Sequence, residues 1–373
     1  MKWSVARLDE ICDLTKGVHS AAKEPPGPFP MIVTGEERKT SSSFQFDGEA
    51  VCIPLVSSTG HGNAAISRVH YESGQFAVAS ILAAASPKDC RISAEYLYYY
   101  FSATKDRTLV PLMRGTSNVS LTLRSLAQAE VAFPSREEQD RISSRLGKAK
   151  EMITRRSAAI VAAEAEMKQL LAKAFDRCVT DAPRHPMSKV APLRRRQVEI
   201  APDQQYAGLG TRSFGRGIFH KPELNGADLT WQKLFRVEAG DLVFSNIKAW
   251  EGAFAVAGPE DHGRFGSHRY LTCVPDKATV SAHFLWYYLQ STEGIEQVQA
   301  ASPGSADRNR TLGQTRLARI MVPTPPLKTQ QWFDALQGKA RRIQQLREAS
   351  VADINTLMPS LLDEVFGHCK AAA

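Results

Sequence analysis

The sequence has no cysteine cluster, no low-complexity tract and no long apolar run. Its six cysteines lie far apart and form no CxxC or Cys/His group with zinc-ligand spacing, which excludes a zinc module and indicates reduced thiols. The longest apolar run, Val78–Ala85, is too short to cross a bilayer, and residues 1–10 have no apolar signal core. We therefore expect a cytoplasmic protein with no membrane partner.

Sequence signatures of catalysis are missing as well. There is no Walker P-loop, no GxGxxG that opens a helix after a strand, and no Asn/Asp-Pro-Pro-aromatic loop of the kind that holds the target amine in amino-methyltransferases. An Asp…Glu-x-Lys set in a strand context and a supported His/Asp/Ser set are also absent. These absences favour a non-catalytic chain over a methyltransferase or a nuclease.

The composition is that of a globular protein with more than one domain. The chain has 373 residues, of which 43% are hydrophobic and 23% charged, enough for two or more cores. The formal net charge of +8 permits nucleic-acid binding. However, residues 1–134 carry 13 basic and 13 acidic side chains, so the excess is spread thinly and charge alone decides little.

A repeat links the two halves of the chain. The stretch "MKQLLAKAF" begins at Met167, and the similar "MPSLLDEVF" begins 191 residues later at Met358. The same offset pairs Gln139 with Gln330, and nearby offsets pair "YLYYYFSAT" with "FLWYYLQST" and "GEAVCI" with "GDLVFS". The chain therefore consists of two repeats, each made of a globular part followed by a long helix.

Apolar residues at alternating spacings of four and three predict the two long helices, each beginning after a proline. Such narrow seams favour pairing of the helices with each other, although each helix packing on its own globular neighbour is the alternative. Pro359 is expected to kink or fray the last turns of the second helix. The predicted helix-pairing or partner-docking residues are Ile142, Leu146, Ile153, Ile160, Met167, Leu170, Phe175, Ile343, Ile354, Leu361 and Phe366.

The globular parts have the pattern of mixed α/β (α+β) structure with short strands. Residues 240–257, "GDLVFSNIKAWEGAFAVA", predict two strands around a turn, and residues 281–292, "SAHFLWYYLQST", predict a helix whose tyrosines face the core. Residues 180–197 are rich in proline and arginine, which is typical of a linker, and the arginines 194–196 are either solvated or in contact with phosphate.

This arrangement resembles the DNA-specificity subunit of type I restriction-modification systems. The resemblance rests on Pro-x-x-x-x-Gln motifs that open both helices (134–139 and 325–330), on the repeated "LLxxxF" ends, and on "GDLVFSNIKAWEGAFAVAG…GSHRYL". It implies target-recognition domains at 1–134 and 179–323, separated by two long antiparallel coiled-coil helices at 135–178 and 324–368, with a pseudo-two-fold internal repeat.

In that family each recognition domain reads one half of a split DNA site. A forty-residue helix is about 60 Å long at roughly 1.5 Å per residue, against about 34 to 36 Å for one turn of duplex. The paired helices are therefore long enough to set the spacer between the half-sites.

Residues that read DNA need paired donors or acceptors on loops, and polar or basic side chains of this kind cluster in both globular parts. For each, the alternative is a solvated loop or a hydrogen bond that fixes a turn; for Trp250, packing beneath the loop is preferred to stacking on a displaced base. The candidates are Lys16, Ser58, Thr59, His61, Asn63, Lys88, Arg114 and Asn118 in the first part, and Arg212, Ser213, Arg216, Asn246, Lys248, Trp250, Arg264, Ser267, His268, Arg269, Arg308 and Arg310 in the second.

The resemblance implies double-stranded DNA, two modification (methyltransferase) subunits and restriction (translocase/nuclease) subunits as partners. No metal or cofactor is expected in this chain, because S-adenosylmethionine belongs to the modification partners, and ATP and Mg to the restriction partners. The competing hypothesis is a helical adaptor or scaffold of a phage-defence assembly whose globular heads bind protein. Neutralising Arg212, Arg216, Lys248 and Arg269 separates the two, because an adaptor would keep its function.

Overall fold

The structure is a computed structural model that describes residues 3–59, 62–229, 233–304 and 307–368. The chain divides into two compact units, unit 1 (Met1–Val161 and Arg347–Ala373) and unit 2 (Ala162–Leu346). Both boundaries fall inside a long helix, so each unit contains the beginning of one long helix and the end of the other. Within the described ranges no helix is long and apolar enough to cross a membrane.

Unit 1 is built on a six-stranded sheet. The strand order is β2-β7-β5-β6-β3-β4, and a separate antiparallel pair joins β1 to β8. The elements are β1 Ser4–Arg7, α1 Leu8–Ile11, β2 Cys12–Lys16, β3 Phe29–Ile32, β4 Lys39–Ser41, β5 Phe46–Pro54, β6 His70–Val78, β7 Leu82–Pro87, α2 Ala94–Thr108, α3 Leu123–Ala127, β8 Glu130–Phe133 and α4 Arg136–Val179.

Alternation along β5 explains why its sheet is covered on both faces. Val51 and Ile53 point into the main core, which α2 completes with Tyr96. Ala50 and Cys52 point into a smaller apolar cluster on the opposite face. Because successive side chains of a strand alternate between faces, one apolar run supplies both cores.

Unit 2 contains three smaller sheets. Their strand orders are β10-β13-β16-β11-β12, β15-β14-β17 and β18-β9. The predicted strand pair within residues 240–257 and the predicted helix within 281–292 are confirmed as β14 with β15 and as α6. The elements are β9 Arg184–Pro186, α5 Met187–Val190, β10 Gln197–Val198, β11 Gln205–Thr211, β12 Ile218–Asn225, β13 Leu234–Arg236, β14 Leu242–Ser245, β15 Phe254–Val256, β16 Phe265–Ser267, β17 Tyr270–Cys273, α6 Ala282–Gln290, α7 Thr292–Ala300, α8 Gln314–Leu317, β18 Met321–Pro323 and α9 Leu327–Phe366.

The repeat extends to the element level. In unit 1 the first strand, β1, pairs antiparallel with β8, which is the last strand before α4. The four-residue helix α1 follows β1 directly. In unit 2 the strand β9 pairs antiparallel with β18, which is the last strand before α9. The four-residue helix α5 follows β9 directly. The internal repeat and the mixed α/β class predicted from the sequence are confirmed.

A buried glutamine fixes the start of each long helix. The Gln139 amide donates to the carbonyls of Arg91 (2.8 Å) and Pro134 (2.9 Å), and its oxygen accepts from the Ser93 N–H (3.0 Å). Ser93 is also the N-cap of α2, so Gln139 ties the long helix to the main helix of unit 1.

The same arrangement recurs in unit 2. The Gln330 amide donates to the carbonyls of Thr279 (3.0 Å) and Pro325 (2.8 Å), and its oxygen accepts from the Ser281 N–H (2.8 Å). Ser281 is the N-cap of α6. Both glutamines are fully buried, so the Pro-x-x-x-x-Gln motif is a structural lock between helix and globular part.

Within unit 1 the two long helices run antiparallel. Arg145 pairs with Glu364 (3.0 Å) and Arg156 donates to Ser350 (2.9 Å), so positions later in α4 meet positions earlier in α9. The end of α9 also packs on the globular part, because the Phe366 ring is fully buried in the main core. Pairing and packing on the globular neighbour therefore occur together.

The end of α4 is buried in unit 2 in a similar way. The Phe175 ring lies 5.1 Å from the Phe284 ring and 5.2 Å from the Phe333 ring, centroid to centroid. The repeated "LLxxxF" stretches are thus the ends of two helices, each buried against a globular part.

Two predictions about the helices need correction. Helix α9 continues beyond Pro359 to Phe366, whose burial holds the last turn, so the fraying predicted there is wrong and the kink stays a prediction. Near the end of α4, Leu171 packs on the core while Leu170 is 56% exposed. An α-helix has 3.6 residues per turn, whereas the predicted seam has an average spacing of 3.5 residues. Over the length of α4 this difference shifts the buried stripe by one residue.

The linker predicted at 180–197 is wrong. This segment contains β9 and α5, and Met187, Val190 and Ala191 are buried in the core of unit 2. Arg184 forms an ion pair with Glu293. The segment therefore begins the globular part of unit 2, and its prolines border short elements.

Candidate nucleic-acid interface

In unit 2 the loop between β11 and β12 lies against the turn that follows β14. The Phe214 N–H donates to the Glu251 carbonyl (2.8 Å) and the Gly215 N–H donates to the Gly252 carbonyl (3.1 Å). These two bonds bring the candidates Arg212, Ser213 and Arg216 next to Lys248 and Trp250.

A carboxylate orders the polar groups of this surface. Glu251 accepts from Lys248 Nζ (2.9 Å) and from the Ser213 hydroxyl (2.9 Å). The hydrogen bond from Lys248, ahead of that from Ser213, holds the pKa of Glu251 below its ordinary value. Lys248 and Ser213 are thus positioned by an acidic residue that is not among the predicted site residues.

Trp250 lies under two cations. Its indole N–H donates to the Ile247 carbonyl (3.2 Å), and the ring centroid is 5.2 Å from Lys248 Nζ and 4.7 Å from the Arg310 guanidinium. The half-buried ring therefore supports the charged side chains from below, in agreement with the packing interpretation.

Two further loops meet at Asn246 of this turn. The Asn246 N–H donates to the Arg269 carbonyl (2.8 Å), and the Asn246 carbonyl accepts from the Leu312 N–H (2.7 Å). The side-chain oxygen of Asn246 is buried without a hydrogen-bond partner among the described residues. His268 and Arg269 are exposed, and the half-buried Ser267 precedes them, so these candidates border the same surface.

Arg264 lies apart from this group. Its Nε donates to the Glu260 carbonyl (3.2 Å), and its own carbonyl accepts from the Val237 N–H (2.9 Å). The side chain of Arg308 and the whole of His61 lie outside the described residues. These three candidates remain predictions from the sequence.

In unit 1 two loops lie side by side at one end of the sheet. Val56 and Ser120 form an isolated bridge, and the Ser57 N–H donates to the Val119 carbonyl (3.0 Å). This contact places the loop after β5 next to the loop of residues 114–120. Lys16 ends β2 at the same end of the sheet, because Lys16 pairs with Ala83. Six candidates share this region: Lys16, Ser58, Thr59, Asn63, Arg114 and Asn118.

The hydroxyl groups of the loop after β5 are engaged with its own backbone. The Thr59 hydroxyl donates to the Asn63 carbonyl (3.1 Å), and the Ser58 hydroxyl donates to the Ala65 carbonyl (3.2 Å). They shape the loop, as the alternative interpretation holds, while the Asn63 and Asn118 side chains are exposed. Arg114 is exposed and donates to the Pro111 carbonyl (2.6 Å).

Lys88 lies at the opposite end of this sheet. Its Nζ donates to the Asp9 carbonyl (2.7 Å) and is 3.8 Å from the Asp13 carboxylate. Ser86, two residues before it, pairs with Asp13, which is three positions from Lys16 along β2. Arg91, three residues after Lys88, accepts from Gln139, so Lys88 lies near the start of α4 and not with the other candidates.

The arginines 194–196 do not form one exposed basic run. Arg196 pairs with the buried Asp241 (2.6 Å), and this hydrogen bond raises the pKa of Arg196. The Arg195 guanidinium lies 3.6 Å from the Phe235 ring centroid, and burial lowers the pKa of Arg195. Only Arg194 of the three is exposed, so two of them serve the fold of unit 2.

The candidate docking residues of the helices differ in exposure. Ile142, Leu146, Phe175, Ile354 and Phe366 are buried. Leu170 (56%) and Ile343 (38%) are exposed, and the remaining candidates Ile153, Ile160, Met167 and Leu361 are half-buried. Further exposed apolar side chains on the helices, absent from the prediction, are Met152, Val161, Trp332 and Leu346.

The search for basic and amide side chains missed two residues of the unit 2 surface. Phe214 stands at the tip of the β11–β12 loop with 70% of its surface exposed. Gln290 of α6 donates to the Gly252 carbonyl (3.3 Å) in the turn after β14, and its side chain lies against Gly215 of the β11–β12 loop. The apolar residue inside "TRSFGRG" was the available signal for Phe214.

Known proteins resemble this chain in sequence and in fold. Residues 1–160 match the family model of the type I restriction modification DNA specificity domain. No curated protein matches the sequence at a significant level. A type I restriction-modification S subunit from M. genitalium is 13% identical, with a TM-score of 0.58 over 100% of this chain and 97% of that one.

Two further solved structures show the same fold. The HsdS subunit from Thermoanaerobacter tengcongensis is 15% identical, with a TM-score of 0.52 over 98% of this chain and 96% of that one. A structure from work on complex assembly and conformational transition of the type I R-M system is 15% identical, with a TM-score of 0.60 over 98% and 97%. Residues 1–160 are therefore similar to a type I restriction modification DNA specificity domain, and the chain over its whole length has a fold similar to that of the solved S subunits.

Proposed function

We propose that this chain is the sequence reader of a type I restriction-modification complex and that each globular part reads one half of a bipartite DNA site. The recognition domains are 1–134 and 179–323, and the spacer helices are 135–178 and 324–368. The chain itself is non-catalytic in this proposal, and methyl transfer and cleavage belong to its partners.

The observation that carries the proposal is the surface of unit 2. Lys248 and Arg310 lie over the Trp250 ring, and Arg212 and Arg216 belong to the adjoining β11–β12 loop. The carboxylate among them, Glu251, is hydrogen-bonded to Lys248 and Ser213, so the outward charge is positive. Cations that surround amide and hydroxyl groups suit phosphate contact together with base readout.

The surface of unit 1 has a different character. It offers two cations, Lys16 and Arg114, and the amides of Asn63 and Asn118, with no aromatic ring among its candidates. Two dissimilar surfaces on two repeated frames suit a site with two different half-sequences. We infer that binding by unit 2 depends more strongly on salt than binding by unit 1.

The long helices hold the two readers at a fixed spacing and dock the modification subunits. Apolar side chains that remain exposed on the helices, such as Met152, Val161 and Leu346, support this role. In this proposal the modification subunits cover these apolar side chains.

The test uses the purified complex with its modification subunits and a fluorescent duplex that carries the methylated motif of the source cell. Arg212→Ala and Lys248→Ala should weaken binding to that duplex while Lys277→Ala, an exposed lysine at the far side of unit 2, should not. A base-reading residue relaxes one position of one half-site, and a phosphate contact weakens all sequences alike. Unchanged DNA binding with lost protein assembly would support the adaptor hypothesis instead.

A further inference from the structure

Phe214 is held in a backbone conformation that a bulky residue seldom adopts. Its φ is +62°, and of the non-glycine residues in the described ranges only Asp181 shares a positive φ. The side chain is 70% exposed, so no packing in a core compensates for the strained backbone. A strained residue with an exposed side chain points to a role for that side chain outside the fold.

The rest of the loop is fixed from below. The Phe214 and Gly215 N–H groups donate to the carbonyls of Glu251 and Gly252. A Cβ on Gly215 would lie 3.1 Å from the Gln290 side chain, so the loop and the helix beneath it are in close contact. The backbone of Phe214 is therefore anchored while its ring projects, and the ring has little backbone freedom to lose on binding.

One arginine lies against the ring, and a second arginine belongs to the same hairpin. The Arg216 guanidinium lies 5.5 Å from the Phe214 centroid, and Arg212 lies 5.2 Å from the Phe219 centroid in the same hairpin. Arg216 is itself positioned by a bond from its Nε to the Ser213 carbonyl (3.2 Å). An apolar wedge flanked by arginines is the combination with which proteins unstack a base step while holding the phosphates beside it.

We propose that Phe214 inserts its ring at a base step within the half-site read by unit 2 and sets recognition at that step. The inference rests on the proposed function, since it takes unit 2 as a DNA reader. An exposed aromatic also suits a protein interface. DNA is favoured because the exposed charged groups around the ring are cations, while the Glu251 carboxylate is paired with Lys248.

The test removes the ring while keeping the loop. Phe214→Gly and Phe214→Asn fit a positive φ better than phenylalanine and so preserve the backbone. Phe214→Trp keeps an aromatic ring. The matched control is Leu224→Asn, which changes an exposed apolar residue in β12, away from the tip of the loop. Thermal unfolding of each complex checks the fold.

Two readouts are taken on the complex with its modification subunits: the Kd for the duplex carrying the methylated motif, and the fluorescence of 2-aminopurine at each position of the half-site. Phe214→Gly and Phe214→Asn should weaken specific binding by roughly 5- to 150-fold and abolish the fluorescence increase at one step. Phe214→Trp and Leu224→Asn should retain both signals.

Wild-type affinity and fluorescence in Phe214→Gly would overturn the proposal. Failure of that variant to assemble with the modification subunits, with DNA binding unchanged, would also overturn it and would assign the ring to a protein contact. The proposed function fails separately, when Arg212→Ala and Lys248→Ala also leave recognition of the half-site intact.

Discussion

The buried glutamine at the start of each long helix offers a quantitative test of how the repeat holds together. Gln139→Met keeps the length and helix propensity of the side chain but removes three hydrogen bonds, of 2.8, 2.9 and 3.0 Å, to Arg91, Pro134 and Ser93. At a net 0.5 to 1.5 kcal/mol for each bond, the loss is about 3 kcal/mol.

Native-state hydrogen exchange, resolved by peptide, measures this loss in each unit separately. Gln139→Met should reduce the protection of β5 and α2 by about 3 kcal/mol and leave β14 and α6 unchanged, while Gln330→Met should do the reverse. Gln128→Met, at an exposed glutamine, should change neither. A loss below about 1 kcal/mol in both core variants would refute the view that these glutamines lock the helices to the globular parts.

Three further predictions concern stability. Burial, and next the charge of Arg38, lower the pKa of His70 to about 4 from 6.5. Below pH 6.5 the unfolded chain therefore binds a proton that the folded chain does not. The free energy of unfolding of unit 1 should fall by about 2 kcal/mol from pH 7.5 to pH 5. In urea titrations His70→Gln should remove that loss. Arg196→Ala leaves the buried Asp241 without its cation and should lower the free energy of unfolding of unit 2 by about 3 kcal/mol. Arg194→Ala, at an exposed arginine, should lower it by less than about 0.5 kcal/mol in the same titration. Equal losses in the two variants would contradict this assignment. Phe366→Ala should cost unit 1 about 3 to 5 kcal/mol, and a melting temperature equal to that of wild type would contradict its burial.

The periodic and repeated features of the chain were predictable from the sequence. Long apolar seams have a unique period, so α4 and α9 were placed within a few residues of their observed starts at Arg136 and Leu327. The strand pair around the turn at 246–252 was predictable because its apolar runs flank turn residues. The family resemblance followed from the order of these motifs.

Tertiary partners were not predictable in the same way. Proline and arginine at 180–197 suggested a linker, but the buried Asp241 that binds Arg196 lies 45 residues further along the chain. Phe214 was not predicted because its positive φ and its exposure leave no periodic pattern, and an apolar residue inside a polar loop is the one signal in the sequence. The drift of the buried stripe from Leu170 to Leu171 depends on helix geometry over many turns.

Long-read methylome sequencing of the source cell tests the central claim, that two units read two half-sites, most directly. The cell is compared with and without this protein, and with chains carrying Arg212→Ala with Lys248→Ala or Arg114→Ala with Asn118→Ala. We predict a split adenine-methylated motif that disappears on deletion, with the first pair relaxing one half and the second pair the other. A motif that persists without the protein, or halves that relax together under either pair, would contradict the account.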